Sequence, residues 1–287
     1  MVQAAVIASR ALHSASDVDH FVNANPVPRL FQQSFDGSHP AVSFIALAAS
    51  ISRLVGMAVP SSVADKLAAS EGGSLVRLLD LGLIDVFEDL VDRRQAAFSV
   101  NALVAGRLEP LSDSDRQSLA EAIAQTLFRA WGGVDGEKTR ASACELELTR
   151  LGLLAEDGEV VAATATGAVL ALRQGPAAIA AAFGRKAIAL LDAQRRPAPW
   201  RLLSETASAL STMGDGATAD TLLERGVAAL DEQRRLGVAI DPVAASFLVW
   251  EQANRLKTRG ELDQGVIAES SRKSTLSGVE ELGAGIS

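Results

Sequence analysis

Apolar residues recur at helical spacing along most of the chain, and one segment breaks that pattern. The run "HPAVSFIALAASISRLVG" carries an apolar stripe too wide for a surface helix, which predicts a buried central helix. Further helices are predicted at "PSSVADKLAAS" and from Ser74 to Leu81. The next segments, "LIDVF" and "AAFSV", are short and β-prone, and the polar "EDLVDRRQ" between them predicts a hairpin. Three helices followed by a hairpin are typical of a winged helix.

The predicted hairpin cannot bury its apolar side alone, because two strands in isolation are only marginally stable in water. Its large apolar residues should therefore pack on the preceding helices. These residues are Leu83, Ile84, Phe98 and Val100.

A second, reduced copy of the pattern follows. The stretch "LGLL" at 151–154 repeats "LGLI" at 81–84, and a helix is predicted before it from Ser114 to Trp131. After it, "EDG" predicts a tight turn, "EVVAA" a return strand, and Thr164 to Leu172 a further helix. The chain is therefore predicted to contain tandem winged-helix-like units with short β-hairpin wings.

From Gly175 onward the pattern predicts antiparallel helix pairs. Pro199 begins one helix, and Asp241 with Pro242 supplies an N-cap and first-turn proline for another. The turns at Gly214 and Gly260 lie 46 residues apart and share the same flanking pattern, which is similar to a tetratricopeptide hairpin. The predicted buried stripe of the first helix consists of Ile179, Phe183, Ala187, Leu190 and Leu191.

The predicted fold class is mainly α, with five successive segments. They are an N-terminal helical subdomain (1–39), a winged-helix domain (40–110), a second winged-helix-like domain (111–174), tetratricopeptide-like helical hairpins (175–269) and a flexible tail (270–287).

Composition narrows the class of protein further. Ala and Leu dominate, Tyr is absent and aromatic residues make up 4% of the chain, which favours helices. The single Cys144 excludes an intramolecular disulfide and fits a reducing compartment. The longest apolar runs fall short of the ~20 residues that a membrane span requires, and the first residues lack the pattern of a signal peptide. We therefore expect a cytoplasmic protein that does not associate with membranes.

Three stretches taken together resemble a known family. They are "RLFQQSFDGSHPAVSFIALAASISRLVGMAVP", "LVRLLDLGLIDVF" and "FSVNALVAGRLEPLSDSDRQSLAEAIAQTLFRAW". Their order resembles the region that follows the nucleotide-binding core in signal-transduction ATPases with numerous domains, which include bacterial relatives of NOD-like receptors. The resemblance implies a helical subdomain, a winged helix and tetratricopeptide-like helices, within a bacterial signalling or anti-phage defence system.

The chain departs from this family in its nucleotide-binding elements. Asn101-Ala102-Leu103-Val104 stands where the family has His-Pro-Leu-Val, so the histidine that can face bound nucleotide is missing. The stretch closest to a phosphate loop, "GGVDGEKT" at 132–139, places Glu137 between Gly136 and Lys138, and its carboxylate would repel a phosphate. It predicts a plain connection between helices and no bound cofactor.

No arrangement of residues predicts catalysis or metal binding. His13, Asp17, Asp19 and His20 form a cluster, but two histidines at that spacing do not share one helix turn and no third ligand follows. A capped helix start explains these residues. Cys144 has no nearby histidine to activate it. We therefore expect that the chain is not an enzyme.

Winged helices often bind DNA, and basic residues in either unit could contact the phosphates. Between Glu71 and Pro110 there are seven acidic and four basic residues, which is the wrong balance for contacts with phosphates. In the second unit, Lys138, Arg140 and Arg150 are the candidate DNA-binding residues. The net charge of −8 argues against a general affinity for nucleic acid.

The helical C-terminal region carries the candidate protein-binding residues, which are Trp200, Arg201, Phe247 and Trp250. Aromatic and arginine side chains supply most of the binding free energy in protein interfaces. An alternative role for these aromatic residues is packing between neighbouring hairpins.

The favoured hypothesis is a non-catalytic sensor, adaptor or assembly subunit that binds another protein, such as an ATPase or effector encoded nearby, or a second copy of itself. The alternative is a DNA-binding winged-helix transcriptional regulator with a helical effector or dimerisation region. A third hypothesis is that the chain is a fragment whose ATPase lies elsewhere in the natural polypeptide or on a neighbouring subunit.

Overall fold

A computed structural model describes residues 54–63, 84–89, 96–100, 112–138 and 140–260. These residues are mainly helical, as the apolar pattern predicted. The chain divides into two compact units, Met1–Asp157 and Gly158–Ser287. The predicted N-terminal subdomain (1–39), the tail (270–287) and most of the helices predicted before the hairpin lie outside the described residues.

Within the ranges that the structure describes, the first unit contains a small sheet, the α-helices α1 and α2 and a short 3₁₀ helix. Its elements are β1 (Val59–Pro60), β2 (Ile84–Glu88), β3 (Ala96–Val100), α1 (Asp113–Ala130), the 3₁₀ helix (Gly133–Lys138) and α2 (Ser142–Ala155). The second unit is described as helices only. They are α3 (Gly158–Leu172), α4 (Ala177–Ala193), α5 (Trp200–Thr212), α6 (Gly216–Arg235) and α7 (Pro242–Thr258).

The predicted hairpin is confirmed. β2 and β3 pair antiparallel, with Val86 opposite Phe98, and β1 adds a third antiparallel strand on the other side of β3. β1 escaped prediction because it is only two residues long. Its Pro60 is tolerated because an edge strand does not need every backbone N–H for the ladder. Ile84 and Phe98 are buried as expected, while Leu83 and the side chain of Val100 lie outside the described part.

The core of the helical part of the first unit lies between α1 and α2. The predicted start and end of α1 are each within one residue of those observed. Ile123 and Leu127 of α1 and Leu148 and Leu151 of α2 are fully buried. The loop that precedes β1 is held to α2, because the backbone N–H of Gly56 donates to the Glu147 carboxylate at 2.9 Å.

The second winged-helix-like unit was predicted incorrectly at its wing. The segment "EVVAA", expected to be a return strand, lies inside α3. Val160, Val161, Thr164, Ala165, Ala168 and Val169 of α3 are buried, and their spacing is helical. The valines suggested a strand, but β-propensity depends on packing, and a pattern of period 3.6 in an alanine-rich segment outweighs it. The turn "EDG" therefore links two helices, and Glu156 adopts the left-handed conformation that ends α2.

Within the second unit, consecutive helices pack against each other in antiparallel pairs. The Trp200 indole N–H at the start of α5 donates to Gln233 near the end of α6 at 3.1 Å. Arg255 near the end of α7 donates to the Gly216 carbonyl at the start of α6 at 2.9 Å. Because α6 runs opposite to both neighbours, α5 and α7 run parallel to each other. The starts of α5, α6 and α7 follow Pro199, Asp215 and Asp241, as predicted.

Candidate binding groove

A groove of about 590 Å³ lies on the second unit, mainly between α5 and α7. We call it the α5–α7 groove. Arg173, directly after α3, contributes to its wall. The remaining lining residues are Trp200, Arg201, Ser204, Glu205 and Ser208 of α5, Asp241 before α7, and Val243, Ala244, Phe247, Trp250 and Glu251 of α7.

The wall that α7 supplies is apolar and open to solvent. Val243 is 56% exposed, Phe247 61% and Trp250 43%. Their spacing of four and then three residues places them along one side of the helix. They extend over roughly 10 Å at the rise of an α-helix. Clusters of exposed large apolar side chains on a folded chain mark interaction sites or ligand-binding grooves.

The wall that α5 supplies is polar. Arg201, Ser204, Glu205 and Ser208 recur at helical spacing along this side of α5. Glu205 forms an ion pair with Arg173. The groove therefore combines an apolar wall with a hydrogen-bonding wall, an arrangement suited to a ligand that has both apolar and polar groups.

The two remaining acids of the groove have different surroundings. Asp241 is the N-cap of α7, and its carboxylate accepts from the backbone N–H groups of Val243 at 3.0 Å and Ala244 at 3.2 Å. Burial raises the pKa of Glu251 above its usual range, and the charge of Glu205 raises it further, while Arg173 and Arg255 act in the opposite direction. A partly buried acid with a raised pKa is typical of functional clefts.

Arg201 differs from Arg173 in that it lacks an acidic partner. Among the described residues, no hydrogen bond or ion pair of its guanidinium is found, and its Nε is buried without an acceptor. Buried polar groups in folded proteins nearly always have a partner. Among the described arginines of the groove, Arg201 is therefore the one whose hydrogen-bonding capacity is unused.

Trp200 lies at the base of the groove and is only 5% exposed. Its indole N–H is already occupied by Gln233. It packs between α5 and α6, whereas Phe247 and Trp250 present their rings to the groove. The two tryptophans therefore have different surroundings although both line the same surface.

The structure brings the four predicted protein-binding residues, Trp200, Arg201, Phe247 and Trp250, to one surface. It adds Arg173, Glu205 and Glu251, which the sequence analysis did not select as site residues. Their signal could not be separated from that of ordinary surface charges, because α3 was predicted only from Thr164 to Leu172 and its packing against α5 was not recognised. With α3 in place, Gly158, Trp200 and Pro242 begin alternate helices at equal intervals (200 − 158 = 42 and 242 − 200 = 42).

Two of the three candidate DNA-binding residues, Arg140 and Arg150, make their contacts within the first unit. The Arg140 guanidinium is buried, with its Nε donating to Glu145 at 2.7 Å and its Cζ 5.3 Å from the centre of the Phe128 ring. It also donates to the Gly133 carbonyl, which holds the start of the 3₁₀ helix.

Arg150, the second candidate, pairs with Glu147 and donates to the Leu54 carbonyl. Lys138, the third, is the last residue of the 3₁₀ helix. Arg140 and Arg150 are therefore positioned to stabilise the first unit rather than to reach a phosphate backbone.

The remaining candidate sites are the Cys144 thiol and possible metal-binding clusters. Burial raises the pKa of the Cys144 thiol to about 11, with a further contribution from the charge of Asp89, so the thiol stays protonated at neutral pH. The described residues contain no group of three His, Cys, Asp or Glu side chains able to hold a metal, and the cluster around His13 and His20 lies outside them. None of the described helices combines the length and the apolar character needed to cross a bilayer.

Comparison of the chain with models of protein families, with curated proteins and with solved structures finds no match.

Proposed function

We propose that the chain is a non-catalytic sensor, adaptor or assembly subunit that binds a segment of another protein in the α5–α7 groove. The observation that carries this proposal is the exposed apolar row of Val243, Phe247 and Trp250, which faces an arginine without an acidic partner. Aromatic and arginine side chains in a concave site are the usual anchors of protein interfaces. Exposing three large apolar side chains to water is unfavourable, and a partner that covers them would remove this penalty.

The second unit supports the proposal because its helices repeat. We infer that α3 to α7 form a tetratricopeptide-like array with a period of 42 residues, longer than the roughly 34 of consensus repeats. In such arrays alternate helices line an extended concave surface that binds peptides. Here α3, α5 and α7 are the alternate helices, and residues in or directly after them line the groove.

The first unit is proposed to be a winged-helix domain with a structural or protein-contacting role. The β2–β3 hairpin follows the predicted helices, and β1 lies in the chain between the first two of them. The burial of Arg140 and the pairing of Arg150 favour this role over DNA binding. The wider context, a signalling or defence complex with an ATPase or effector, is proposed from the family resemblance alone.

The proposed function is tested by quantitative affinity capture from cells of the source organism, followed by titration of the captured protein in purified form. The wild-type chain is compared with Phe247→Ala and Trp250→Ala, and with Leu236→Ala as the control. Leu236 is 68% exposed but is not a groove residue. Each groove substitution should weaken binding by roughly thirtyfold or more, which is typical of an anchor residue, while the control should bind like the wild type.

A partner retained equally by all variants would contradict the groove as the binding site. DNA binding is tested in parallel by fluorescence anisotropy at several salt concentrations. Salt-sensitive binding to DNA that is weakened by Lys138→Ala would favour the transcriptional regulator instead.

A further inference from the structure

The charges of the α5–α7 groove are not evenly matched, and this imbalance indicates the chemistry of the partner. Arg173 is paired with Glu205, and Asp241 is engaged at the N-terminus of α7. Arg201 remains, with no hydrogen bond or ion pair among the described residues and with a buried Nε that has no acceptor. The buried Nε cannot meet a ligand directly, so the terminal Nη groups of the guanidinium are the donors that a ligand in the groove can reach.

The position of Arg201 sets the direction of the ligand. It lies in the first turn of α5, and because α5 and α7 run parallel, it lies at the same end of the groove as Asp241 and Val243. The N-terminus of α5 also lies there, and its dipole favours a negative ligand group, whereas the Asp241 carboxylate already caps α7. Trp250 and Glu251 lie toward the opposite end.

A singly charged carboxylate fits this end of the groove better than a phosphate does. A guanidinium can bind either group through two parallel hydrogen bonds. Glu205, Asp241 and Glu251 line the same groove and would repel a dianionic phosphate more strongly than a carboxylate. The apolar row covers roughly 10 Å, which about three residues of an extended chain span.

We propose that the groove binds a peptide segment in which a carboxylate, paired with Arg201, lies within a few residues of large apolar side chains that pack on Val243, Phe247 and Trp250. This inference rests on the proposed function and specifies the partner. The carboxylate can come from an Asp or Glu side chain or from a chain terminus, since Arg201 makes the same two hydrogen bonds with either.

The experiment uses the full chain and a phage-displayed library of random dodecapeptides. Selected peptides are synthesised with a free or amidated C-terminus, with each acid replaced by its amide, and with each acid replaced by Lys. Affinities are measured by fluorescence anisotropy for the wild type, Arg201→Gln, Arg201→Lys, Arg201→Glu and Phe247→Ala. Arg235→Gln is the control, because Arg235 pairs with Glu232 on the exposed side of α6, away from the groove.

The selected peptides should share an acid beside aromatic or aliphatic residues. Replacing the critical carboxylate by an amide should lower the affinity of the wild type roughly tenfold to a hundredfold, and Arg201→Gln should have the same effect on the acidic peptide. The Arg201→Gln variant should bind the acidic peptide and its amide analogue with equal affinity. The Arg201→Glu variant should recover binding to the peptide in which the acid is replaced by Lys. The affinity of Arg201→Lys for the acidic peptide should lie between that of Arg201→Gln and that of the wild type.

Peptides that depend on Phe247 but are indifferent to Arg201 and to their own acids would overturn this inference and leave the proposed function standing. Peptides indifferent to both Phe247 and Arg201 would overturn both. A free chain that is dimeric, and that Phe247→Ala converts to a monomer, would show that a second copy occupies the groove and would also overturn the inference.

Discussion

Small residues form the first half of the buried side of α4, and this explains why the predicted stripe was wrong at Ile179 and Phe183. The apolar pattern placed Ile179 and Phe183 in the core, but Ile179 is half exposed and Phe183 is only partly buried. The structure buries Ala180, Ala181 and Gly184 there, while the predicted Ala187 and Leu191 are buried as expected. Large residues mark a core in most helices, but a helix that approaches its neighbour closely needs small ones.

Gly184→Ala should therefore destabilise the chain although alanine is the better helix former. A Cβ at this position would lie 2.1 Å from the Thr206 Oγ1 on α5. Overpacking typically lowers the free energy of unfolding by about 1–3 kcal/mol. Replacing glycine by alanine within a helix raises it by roughly 1 kcal/mol, so the net effect is a loss when the neighbouring side chain cannot shift. Because Thr206 is fully buried, we expect a net loss, measured by urea unfolding.

Two comparisons sharpen this measurement. Gly175→Ala should leave stability within about 0.5 kcal/mol, because the nearest atom to its Cβ would be the Leu172 carbonyl oxygen at 3.5 Å. Adding Thr206→Ala to Gly184→Ala should restore part of the lost unfolding free energy, and a double-mutant cycle measures this coupling. Equal stability of Gly184→Ala and the wild type would contradict close packing of α4 on α5.

Arg140 illustrates a second limit of local patterns. It was a candidate DNA-binding residue together with Lys138 and Arg150, but its side chain is buried beside Glu145 and Phe128. Whether an arginine is exposed depends on which residues return to it from elsewhere in the fold. Sequence alone shows the charge and leaves its surroundings open.

Among the elements, those defined by local signals were predicted well. β2 and β3 form because two β-prone segments are joined by a short polar connection, so the paired strands are close together in sequence. The helices α5, α6 and α7 begin after proline or a capping aspartate, as local backbone chemistry requires. The strand predicted inside α3 failed because its local propensity was overridden by helical packing within the second unit.

Arg255 joins three elements of the second unit. It donates to the Ser211 hydroxyl on α5 and to the Gly216 carbonyl at the start of α6, both at 2.9 Å, and it pairs with Asp220. Arg255→Ala should lower the free energy of unfolding by roughly 2 kcal/mol, because hydrogen bonds to a charged group contribute more than neutral ones. Urea unfolding followed by circular dichroism measures the change.

Arg259→Ala is the matched control for this position. Arg259 also approaches Asp220, at 3.4 Å, but it is more exposed and makes no contact with the Gly216 carbonyl. Its removal should change stability by less than about 0.5 kcal/mol, as for most surface ion pairs. Similar losses for both arginines would indicate that the charge on Asp220, and not the bridge between helices, is what Arg255 supplies.

For the molecule as a whole, the α5–α7 groove is a place where stability and function conflict. It leaves apolar side chains in water and holds Glu251 in a partly buried position that raises its pKa. Proteins retain such unfavourable arrangements mainly where binding requires them. Substitutions that stabilise the free chain at the groove are therefore expected to weaken its binding.

Glu251→Gln tests this conflict through pH. Because the folded pKa lies above the usual value of 4.5, the folded chain binds more protons than the unfolded chain in this range, and stability falls as pH rises through the raised pKa. The substitution removes that loss, so the variant should melt at a higher temperature than the wild type at pH 7. Below about pH 4 both side chains are neutral, so the difference should vanish.

Glu224→Gln serves as the control, since Glu224 is well exposed and lies on α6 outside the groove. It should melt within about a degree of the wild type at both pH values, as expected for a surface substitution. A Glu251→Gln variant that is less stable than the wild type at pH 7 would show that Arg173 and Arg255 outweigh burial, and that the carboxylate stabilises the groove.

The order of residues sufficed to predict the helical class, the β2–β3 hairpin and the starts of α5 to α7, because each depends on the spacing or backbone chemistry of residues close together in the chain. It also selected Trp200, Arg201, Phe247 and Trp250 by residue type. Other features depend on residues 30 or more positions apart or on neighbouring helices. They are the common groove of these four residues, the lack of a partner for Arg201 among the described residues, the burial of Arg140 and the small buried residues in the first half of α4. Burial and partnership are properties of packing, so these features emerged only once the helices were assembled.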